Sequence, residues 1–508
     1  MKFSCKLDKF YGYVVNTIMV LVTGALLLLA LFSTSVITVG EYTTYVPDNV
    51  FLQVIAVAVV LVITICAVKS EKIKKMLENP MLPRIAFIGL ASFLLVLIVG
   101  TQLSPGADSG MICAVARRII SNDLSEDFTL TTIQYMQKYP NQNGMVVFIY
   151  LLFNLVGVDN YVALQIINLI SLGVAYYFIY VLLKELFGIR IANVSLLIMC
   201  AFLPFSIYVM FVYGTMIGMA FAMMACTFLV KFFKTGKMRY GVIAAVGAAL
   251  ATAFKSNYMI VFVALVITAL LVFLRSKDFK VLAVVAMVCI LNLLVSPVTS
   301  ALYSGISGAE PSKGIPHLAW VAMGLQESKG KTEGWYNGYN AMVFENNGRN
   351  TALANEECKE YLSERIPYML KNPAYTLKFF AKKTASQWNN PTFECFAFIQ
   401  NMQINHHKVM PALQTLYDNG SEVNKMLTFW MNIMQSCIMA GAFAYFVINF
   451  KKNDVLTLLY AVIFVGGFLF HLIWEAKCQY TVVYVLLLIP YAVMGYNAVC
   501  KKIAERKN

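Results

Sequence analysis

The feature that most constrains this chain is a series of long apolar stretches that recur along most of its length. A helix needs about 20 mainly apolar residues to cross a hydrocarbon core of about 30 Å, and the chain repeatedly supplies such runs. It is 59% hydrophobic and only 13% charged, whereas soluble domains carry about a quarter charged residues. Backbone groups inside lipid must be paired within the protein, which leaves helices or a closed barrel. No short alternating segments of the barrel type are present, so the sequence predicts an all-α polytopic membrane protein.

The basic residues predict how these helices are oriented. They concentrate in short connections such as 69–84, 231–239, 275–280 and 501–507, as is typical of cytoplasmic loops. The net charge of +14 therefore reflects topology and does not indicate nucleic-acid binding. The pattern predicts about twelve crossings with both termini in the cytoplasm. These are 13–38, 50–68, 85–103, 161–183, 191–209, 214–230, 240–254, 258–274, 281–298, 429–450, 455–473 and 481–499.

One apolar run, Met145 to Gly157, is short for a crossing. If it crossed, the basic loop 231–239 would lie outside, so we interpret the run as a partial or interfacial segment. Four regions follow: 1–84 with two helices and a basic loop, 85–298 as the core with a first extracytoplasmic loop at 104–143, 299–428 as a mostly helical extracytoplasmic region, and 429–508 with the last helices and a basic tail.

The first candidate for chemistry is Asp108, which follows a Pro-Gly turn at the outer end of the third predicted helix. A carboxylate there can deprotonate an acceptor hydroxyl or hold a cation against a phosphate. The structural alternative is that Asp108 caps a helix beginning near Ser109. Arg117 and Arg118 follow in an amphipathic segment and suit phosphate contact. Attraction to lipid head groups explains them equally well.

Lys255 and Glu475 are predicted on the same side of the membrane as Asp108. Lys255 lies in an external turn, against the usual charge tendency, so a bound phosphate would explain it, as would snorkelling to the interface. Glu475 follows His471 by one helical turn and precedes Lys477 and Tyr480. His471 and Glu475 can share a helix face, but two ligands do not make a metal site. The pattern favours one external pocket.

The cysteines do not have the spacing of a metal site. Cys113, Cys358, Cys395 and Cys478 are predicted outside, where a disulfide could form, although free thiols are the favoured interpretation. We find no phosphate-binding Gly-rich motif of the P-loop or Rossmann type in the sequence. No metal ligands are predicted, and a divalent cation is left open.

Several segments resemble the GT-C superfamily of integral-membrane glycosyltransferases, in particular protein O-mannosyltransferases and the lipid A aminoarabinose transferase. "GADSGMICAVARRI" resembles the acidic first-loop motif, and "KYPNQNGMVVFIYLLFNLVG" resembles the Tyr-Pro segment that includes Tyr139. "LKELFGIRIANVSLLIMCAFLPFSIY" resembles a basic-Phe-Gly turn before a Pro-containing helix. "TAFKSNYMIV" and "LIWEAKCQYTVVYVLLLIPYAVMGY" resemble a Lys-Pro-Asn and a Glu-x-x-x-Arg-Tyr element.

The resemblance implies a polyprenyl-phosphate-sugar donor, an extracytoplasmic glycan, lipid or protein acceptor, and a multi-pass bacterial plasma-membrane location. It implies that Asp108 is the catalytic base. Lys255 and an arginine of the first loop would then lie near the lipid phosphate, and Tyr139, Glu475, Lys477 and Tyr480 would complete the binding residues. Ser109, Asn141, Ser256 and Gln479 depart from the family pattern. The alternatives are a flippase for lipid-linked oligosaccharide and a polysaccharide polymerase or ligase, for which His406 and His407 would matter.

Overall fold

The computed structural model describes residues 2–37, 42–123, 132–402, 410–451 and 454–505. The described part of the chain is almost entirely helical and contains one two-stranded sheet. From the N-terminus to residue 207 the elements are α1 (Lys2–Phe32), β1 (Ser33–Ile37), β2 (Thr43–Pro47), α2 (Val50–Lys69), α3 (Glu71–Glu78), α4 (Met81–Thr101), α5 (Ala107–Ser121), α6 (Gln134–Lys138), α7 (Asn143–Val156), α8 (Tyr161–Phe187), α9 (Ile189–Ala201) and α10 (Leu203–Ile207). The remaining helices are α11 (Thr215–Thr235), α12 (Met238–Phe254), α13 (Met259–Ser276), α14 (Phe279–Ser307), α15 (His317–Gly324), α16 (Tyr339–Asn346), α17 (Thr351–Lys371), α18 (Pro373–Trp388), α19 (Cys395–Asn401), α20 (Pro411–Gln414), α21 (Glu422–Ile448), α22 (Leu459–Ile473) and α23 (Val482–Glu505).

The helix lengths confirm an all-α polytopic membrane protein. Within the described residues, nine helices are long and apolar enough to cross a membrane, and the bent pair formed by α9 and α10 makes a tenth candidate. Two shorter apolar helices, α12 and α22, occupy the two remaining places in the predicted series. Each of the twelve predicted crossings therefore corresponds to an apolar helix or helix pair.

The first predicted helix, 13–38, is wrong at its end. The helix stops at Phe32, and Ser33–Ile37 pairs in antiparallel register with Thr43–Pro47. β-branched and hydroxyl residues favour an extended backbone here. The backbone N–H of Ser35 donates to the carbonyl of Asn389 at 3.0 Å, so this hairpin packs against the end of α18. A tertiary contact, invisible in the hydropathy pattern, decides where α1 ends.

The predicted helix 191–209 is interrupted, because the chain bends by 62° between α9 and α10. Phe202 leaves the helical region with ψ of 76°, and Pro204 lies in the first turn of α10. In a continuous helix Pro204 would lack the backbone N–H that donates to the carbonyl four residues earlier, and its ring would clash with that carbonyl, which explains the break. The bend directs the chain toward the turn that carries Tyr213.

The short apolar run 145–157 forms α7, which is not among the candidate membrane spans of the described chain. Its 14 residues span only about 21 Å. The helix packs against α5 and against the last part of α14. The Nδ2 of Asn143 donates to the hydroxyl of Ser300 at 3.1 Å, so α7 begins level with the end of the long helix α14.

The core of the bundle consists of two tightly packed groups of helices. In one group, α11 packs between α8 and α12, and α12 also contacts α14. In the other group, α21 packs against α1 and α23, while α22 packs against α13 and α23. α12 presents small buried residues to α11, which permits close helix approach in a membrane protein. The turns at one end of these helices, together with α5, α6 and the helices α15 to α18, enclose the site described next.

Candidate active site

Asp108 lies at the start of α5, where its carboxylate is exposed. The helix cap is Gly106, which has no side chain, and Asp108 is the acidic residue of the first turn. Asp108 is therefore not the cap residue considered from the sequence. Free N–H groups at a helix N-terminus favour a negative charge nearby. The preceding Ala107 has φ of +48°, a conformation that costs an L-residue energy, and this turn sets the direction of the Asp108 side chain.

Two tyrosines contact the Asp108 carboxylate. The hydroxyl of Tyr213 lies 3.4 Å from Oδ2 of Asp108, and Tyr135 also hydrogen-bonds to Asp108. Burial, and then the neighbouring charged groups, raise the pKa of both phenols above the ordinary range. Both hydroxyls therefore stay protonated and donate to the carboxylate. The Nε2 of Gln142 donates to the Tyr213 oxygen, which fixes that ring.

Lys255 occupies the turn after α12 and faces the same tyrosine. Its Nζ is 3.9 Å from the ring centroid of Tyr213 and 5.7 Å from that of Tyr480. Burial lowers the pKa of the Lys255 ammonium to about 7, and the carboxylates of Asp108 and Glu475 oppose that effect. The three charged residues are thus close enough to interact, as the sequence analysis predicted from topology.

Two close backbone approaches bring these turns together. A Cβ added at Gly214 would lie 2.2 Å from the carbonyl oxygen of Phe254, and one added at Gly144 would lie 2.2 Å from that of Ala253. Gly214 also has φ of +71°, which favours glycine. The turns at Tyr213 and Lys255, and the start of α7, can meet because neither glycine has a side chain.

Glu475 lies in the segment between α22 and α23 and is only 6% exposed. Because α22 ends at Ile473 and Trp474 is extended, His471 and Glu475 do not share one helix face. Glu475 instead interacts electrostatically with Lys255, Tyr139 and Tyr213. Trp335 and Ala476 form a parallel bridge, which ties this segment to the loop before α16.

A small cavity opens beside Lys255. Its volume is about 20 Å³, which suffices for a water molecule or one corner of an anionic group. Polar atoms come from Lys255, Asn257 and Gln479, and aromatic walls come from Tyr258, Tyr480 and Tyr484. Gln479, which departs from the resembled motif, therefore lines the same cavity as Lys255.

Tyr139, Tyr480 and Lys477 are the other predicted residues that lie in or next to the site. The ring of Tyr139 packs at a tilt against that of Tyr135, with 4.9 Å between the centroids, and Tyr139 interacts with Asp108 and Glu475. Tyr480 stacks with His471 at 5.7 Å, and Lys477 immediately precedes the turn 478–480.

Arg117 and Arg118 are placed elsewhere on α5. They lie nine and ten residues beyond Asp108, which is about 14–15 Å along the helix axis. Arg117 pairs with Asp159 at 3.0 Å. Neither arginine is among the residues that the geometry brings against Asp108 or Lys255.

Several site residues were not predicted. Tyr213 carried a usable signal, because the topology places its turn on the same side as Asp108. Lys383 and Glu394 carried none. Glu394 is buried, has φ of +62°, and accepts the backbone N–H of Gln479 at 3.3 Å.

The metal and cysteine predictions concern the whole chain, and the structure addresses only the described portion. There, no three His, Cys, Asp or Glu side chains cluster as metal ligands would. The cysteines it describes are free, including the buried Cys113, Cys358, Cys395 and Cys478. His406 and His407 lie outside the described residues.

Residues 144–300 match the family model described as dolichyl-phosphate-mannose-protein mannosyltransferase. This match supports a glycosyltransferase of the GT-C type. The matched part of the chain runs from α7 into α14 and includes Tyr213 and Lys255, whereas Asp108 and Glu475 lie outside it. The resemblance noted in the sequence is thereby confirmed, and transfer is favoured over transport.

One solved structure similar to this chain is the crystal structure of the Archaeoglobus fulgidus oligosaccharyltransferase tethered with an acceptor peptide. The two chains are 13% identical with a TM-score of 0.41, and the similarity covers 84% of this chain and 50% of that one. This chain thus spans about half the length of that oligosaccharyltransferase. Among curated protein sequences, none matches it significantly.

Proposed function

We propose that this glycosyltransferase moves a sugar from a polyprenyl-phosphate donor to a hydroxyl of an extracytoplasmic acceptor, with Asp108 as the general base. The observation that supports the proposal most directly is the Lys255 ammonium, which interacts with the carboxylates of Asp108 and Glu475 at one end of the helix bundle. A cation for the phosphate and a base for the acceptor are the two groups that such a transfer requires.

In the proposed reaction, Asp108 accepts the proton of the acceptor hydroxyl while that oxygen bonds to the anomeric carbon. The bond from the anomeric carbon to the phosphate oxygen breaks, and the electron pair leaves with the polyprenyl phosphate. The Lys255 ammonium stabilises the charge on that leaving group as a point charge. Tyr213 contacts both groups and holds the base and the cation at a defined separation.

The remaining predicted residues have supporting roles in this proposal. Tyr139 and Tyr480 line the approach to the carboxylates and to the ammonium, and Glu475 balances the charge of Lys255. Lys477 is proposed to contact the donor head group, and Arg117 and Arg118 are proposed to contact neighbouring lipid phosphates. The dependence of the reaction on a divalent cation is left open, and transfer rates with Mn²⁺, Mg²⁺ and EDTA test it.

The decisive experiment is transfer by purified protein in lipid nanodiscs from a radiolabelled polyprenyl-phosphate sugar. We expect Asp108→Asn to lower the rate at least about a hundredfold, as loss of a general base does. The matched control is Asp454→Asn, since Asp454 is exposed and pairs with Arg275 at the other end of the bundle. Parental turnover by a correctly folded Asp108→Asn protein would refute the assignment.

We further propose that the site faces the extracytoplasmic side of a bacterial plasma membrane, in a multi-pass protein with the twelve crossings predicted above. Ser256 and Lys277 are exposed residues at opposite ends of α13. A membrane-impermeant thiol reagent on intact cells is expected to label Ser256→Cys and to spare Lys277→Cys. The reverse labelling pattern would contradict this orientation.

A further inference from the structure

Lys383 is a fully buried lysine on α18, and its neighbour Lys382 is an exposed one. The side chain of Lys383 has no solvent exposure, whereas Lys382 is exposed and pairs with Glu333. Lysine is almost never fully buried unless its charge is compensated. The surroundings of Lys383 therefore call for a specific explanation.

The Lys383 ammonium joins three segments of the chain. Its Nζ donates to the carbonyl oxygens of Gly324, at the end of α15, and of Trp474, at 2.7 Å for the latter. A Cβ added at Gly334 would lie 2.9 Å from this Nζ, so a third segment packs directly over it. One charged group thus holds α15, the loop before α16 and the segment after α22 together.

The Trp474 carbonyl belongs to the peptide bond that leads into Glu475, so Lys383 anchors the backbone of Glu475 directly. The Glu475 carboxylate is also close. Burial lowers the pKa of Lys383 to about 7, and the charge of Glu475 opposes that effect. Glu475 acts on Lys255 in the same way. Its carboxylate therefore interacts with two ammonium groups, that of Lys255 in the site and that of Lys383 on α18.

We propose that Lys383 is a positioning residue, whose buried ammonium holds the Glu475 backbone in place and keeps the Glu475 carboxylate ionised beside Lys255. The proposal rests on the transfer reaction proposed above. The extracytoplasmic helices α15 and α18 are then part of the catalytic unit, because their packing supplies the charge that sets the state of Glu475. The titratable groups around Glu475 include Lys255, Tyr139 and Tyr213, with Asp108 across Lys255. Lys477 follows two residues later in the chain, and His471 interacts with Lys383.

The pH dependence of transfer separates this role from simple structural support. In Lys383→Met, a nearby positive charge is lost, and the acid limb of the rate profile should move upward by about 1 pH unit or more as Glu475 becomes easier to protonate. Lys383→Arg keeps the charge and should leave the acid limb near its parental position. Lys382→Met is the matched control and should leave both rate and profile unchanged. A folded Lys383→Met protein with the parental profile would overturn the proposal.

Thermal unfolding tests the pairing without any substrate. Removing one member of a buried charge pair leaves the other uncompensated. We therefore expect Glu475→Gln to raise the melting temperature of Lys383→Met, or to lower it less than it lowers that of the parent protein. If Glu475→Gln changed the melting temperature equally in the parent protein and in Lys383→Met, the proposal would be overturned. This test does not require Lys383→Met to be active. If the parent protein transfers no polyprenyl-linked sugar, the proposed function fails, but the result of this cycle still stands.

Discussion

Substitution of Gly214 by alanine provides the sharpest test of how the site is assembled. Gly214 has φ of +71°, and an added Cβ would lie 2.2 Å from the Phe254 carbonyl oxygen. Gly236, at the other end of the same helix α11, has φ of +66° and nothing within 4 Å of an added Cβ. Both alanines incur a backbone cost of about 1–2 kcal/mol, but only Gly214→Ala forces two turns apart.

The size of that separation follows from the structure. An ordinary carbon contact of about 3.5 Å exceeds the 2.2 Å found at Gly214 by more than 1 Å. Tyr213 is the adjacent residue, and its ring is 3.9 Å from the Lys255 ammonium. A misplacement of about 1 Å in an active site can lower turnover about a hundredfold. We expect that loss for Gly214→Ala and near-parental turnover for Gly236→Ala.

The assay is sugar transfer in nanodiscs at saturating donor, with thermal unfolding of the same samples to measure stability. Gly214→Ala should lose both stability and turnover, and Gly236→Ala should lose a smaller amount of stability only. If the two variants lose equal stability and both retain parental turnover, the close approach of the two turns does not assemble the site.

Three further predictions concern the charges of the site. Burial lowers the pKa of Lys255 to about 7, and a donor phosphate binds the charged form of this lysine. The affinity for the donor should therefore be highest below pH 7 and fall by up to about tenfold per pH unit as the pH rises. Lys255→Met should remove this pH dependence in binding titrations. Tyr213→Phe should retain the ring contact with Lys255 and lose the contacts of the hydroxyl with Asp108 and Gln142. Tyr213→Leu should lose the ring contact as well, so its donor KM should rise further, by a factor set by about 0.5–2 kcal/mol. Arg117→Met should change the melting temperature little, because the pair of Arg117 with Asp159 is exposed and such pairs contribute about 0–1 kcal/mol. If Arg117→Met raised the donor KM as much as Lys255→Met does, the peripheral placement of Arg117 would be contradicted.

The placement of Asp108, Lys255 and Glu475 illustrates what could be predicted. Each follows an apolar helix, and counting crossings from the basic loops assigns all three to the same side, where the structure brings their charges together. Counting crossings works because hydropathy and loop charge are local properties of the sequence, and each crossing helix takes the chain to the opposite side of the membrane. The same reasoning identifies the turn at Tyr213, although not its contact with Asp108.

The two failures in the helices have different origins. The bend before α10 has a local cause at Pro204 that could have been recognised in the sequence. The end of α1 at Phe32 has no such local cause. The strand Ser33–Ile37 that follows it is stabilised partly by hydrogen bonds to residues near the end of α18, such as the one from Ser35 to Asn389. Contacts over such sequence separations leave no periodic signal.

The sequence by itself determined the membrane-spanning class, the order of the helices, and the common end of the bundle at which the charged turns lie, because these depend on the transfer of local segments between water and lipid. Only the tertiary structure decided which charges act together. It buried Lys383 behind Glu475 and left Lys382 exposed with Glu333, and it paired Arg117 with Asp159 away from Asp108. Neighbouring residues of the same type are equivalent in sequence, and only the packing of distant segments around them sets the electrostatic environment of each.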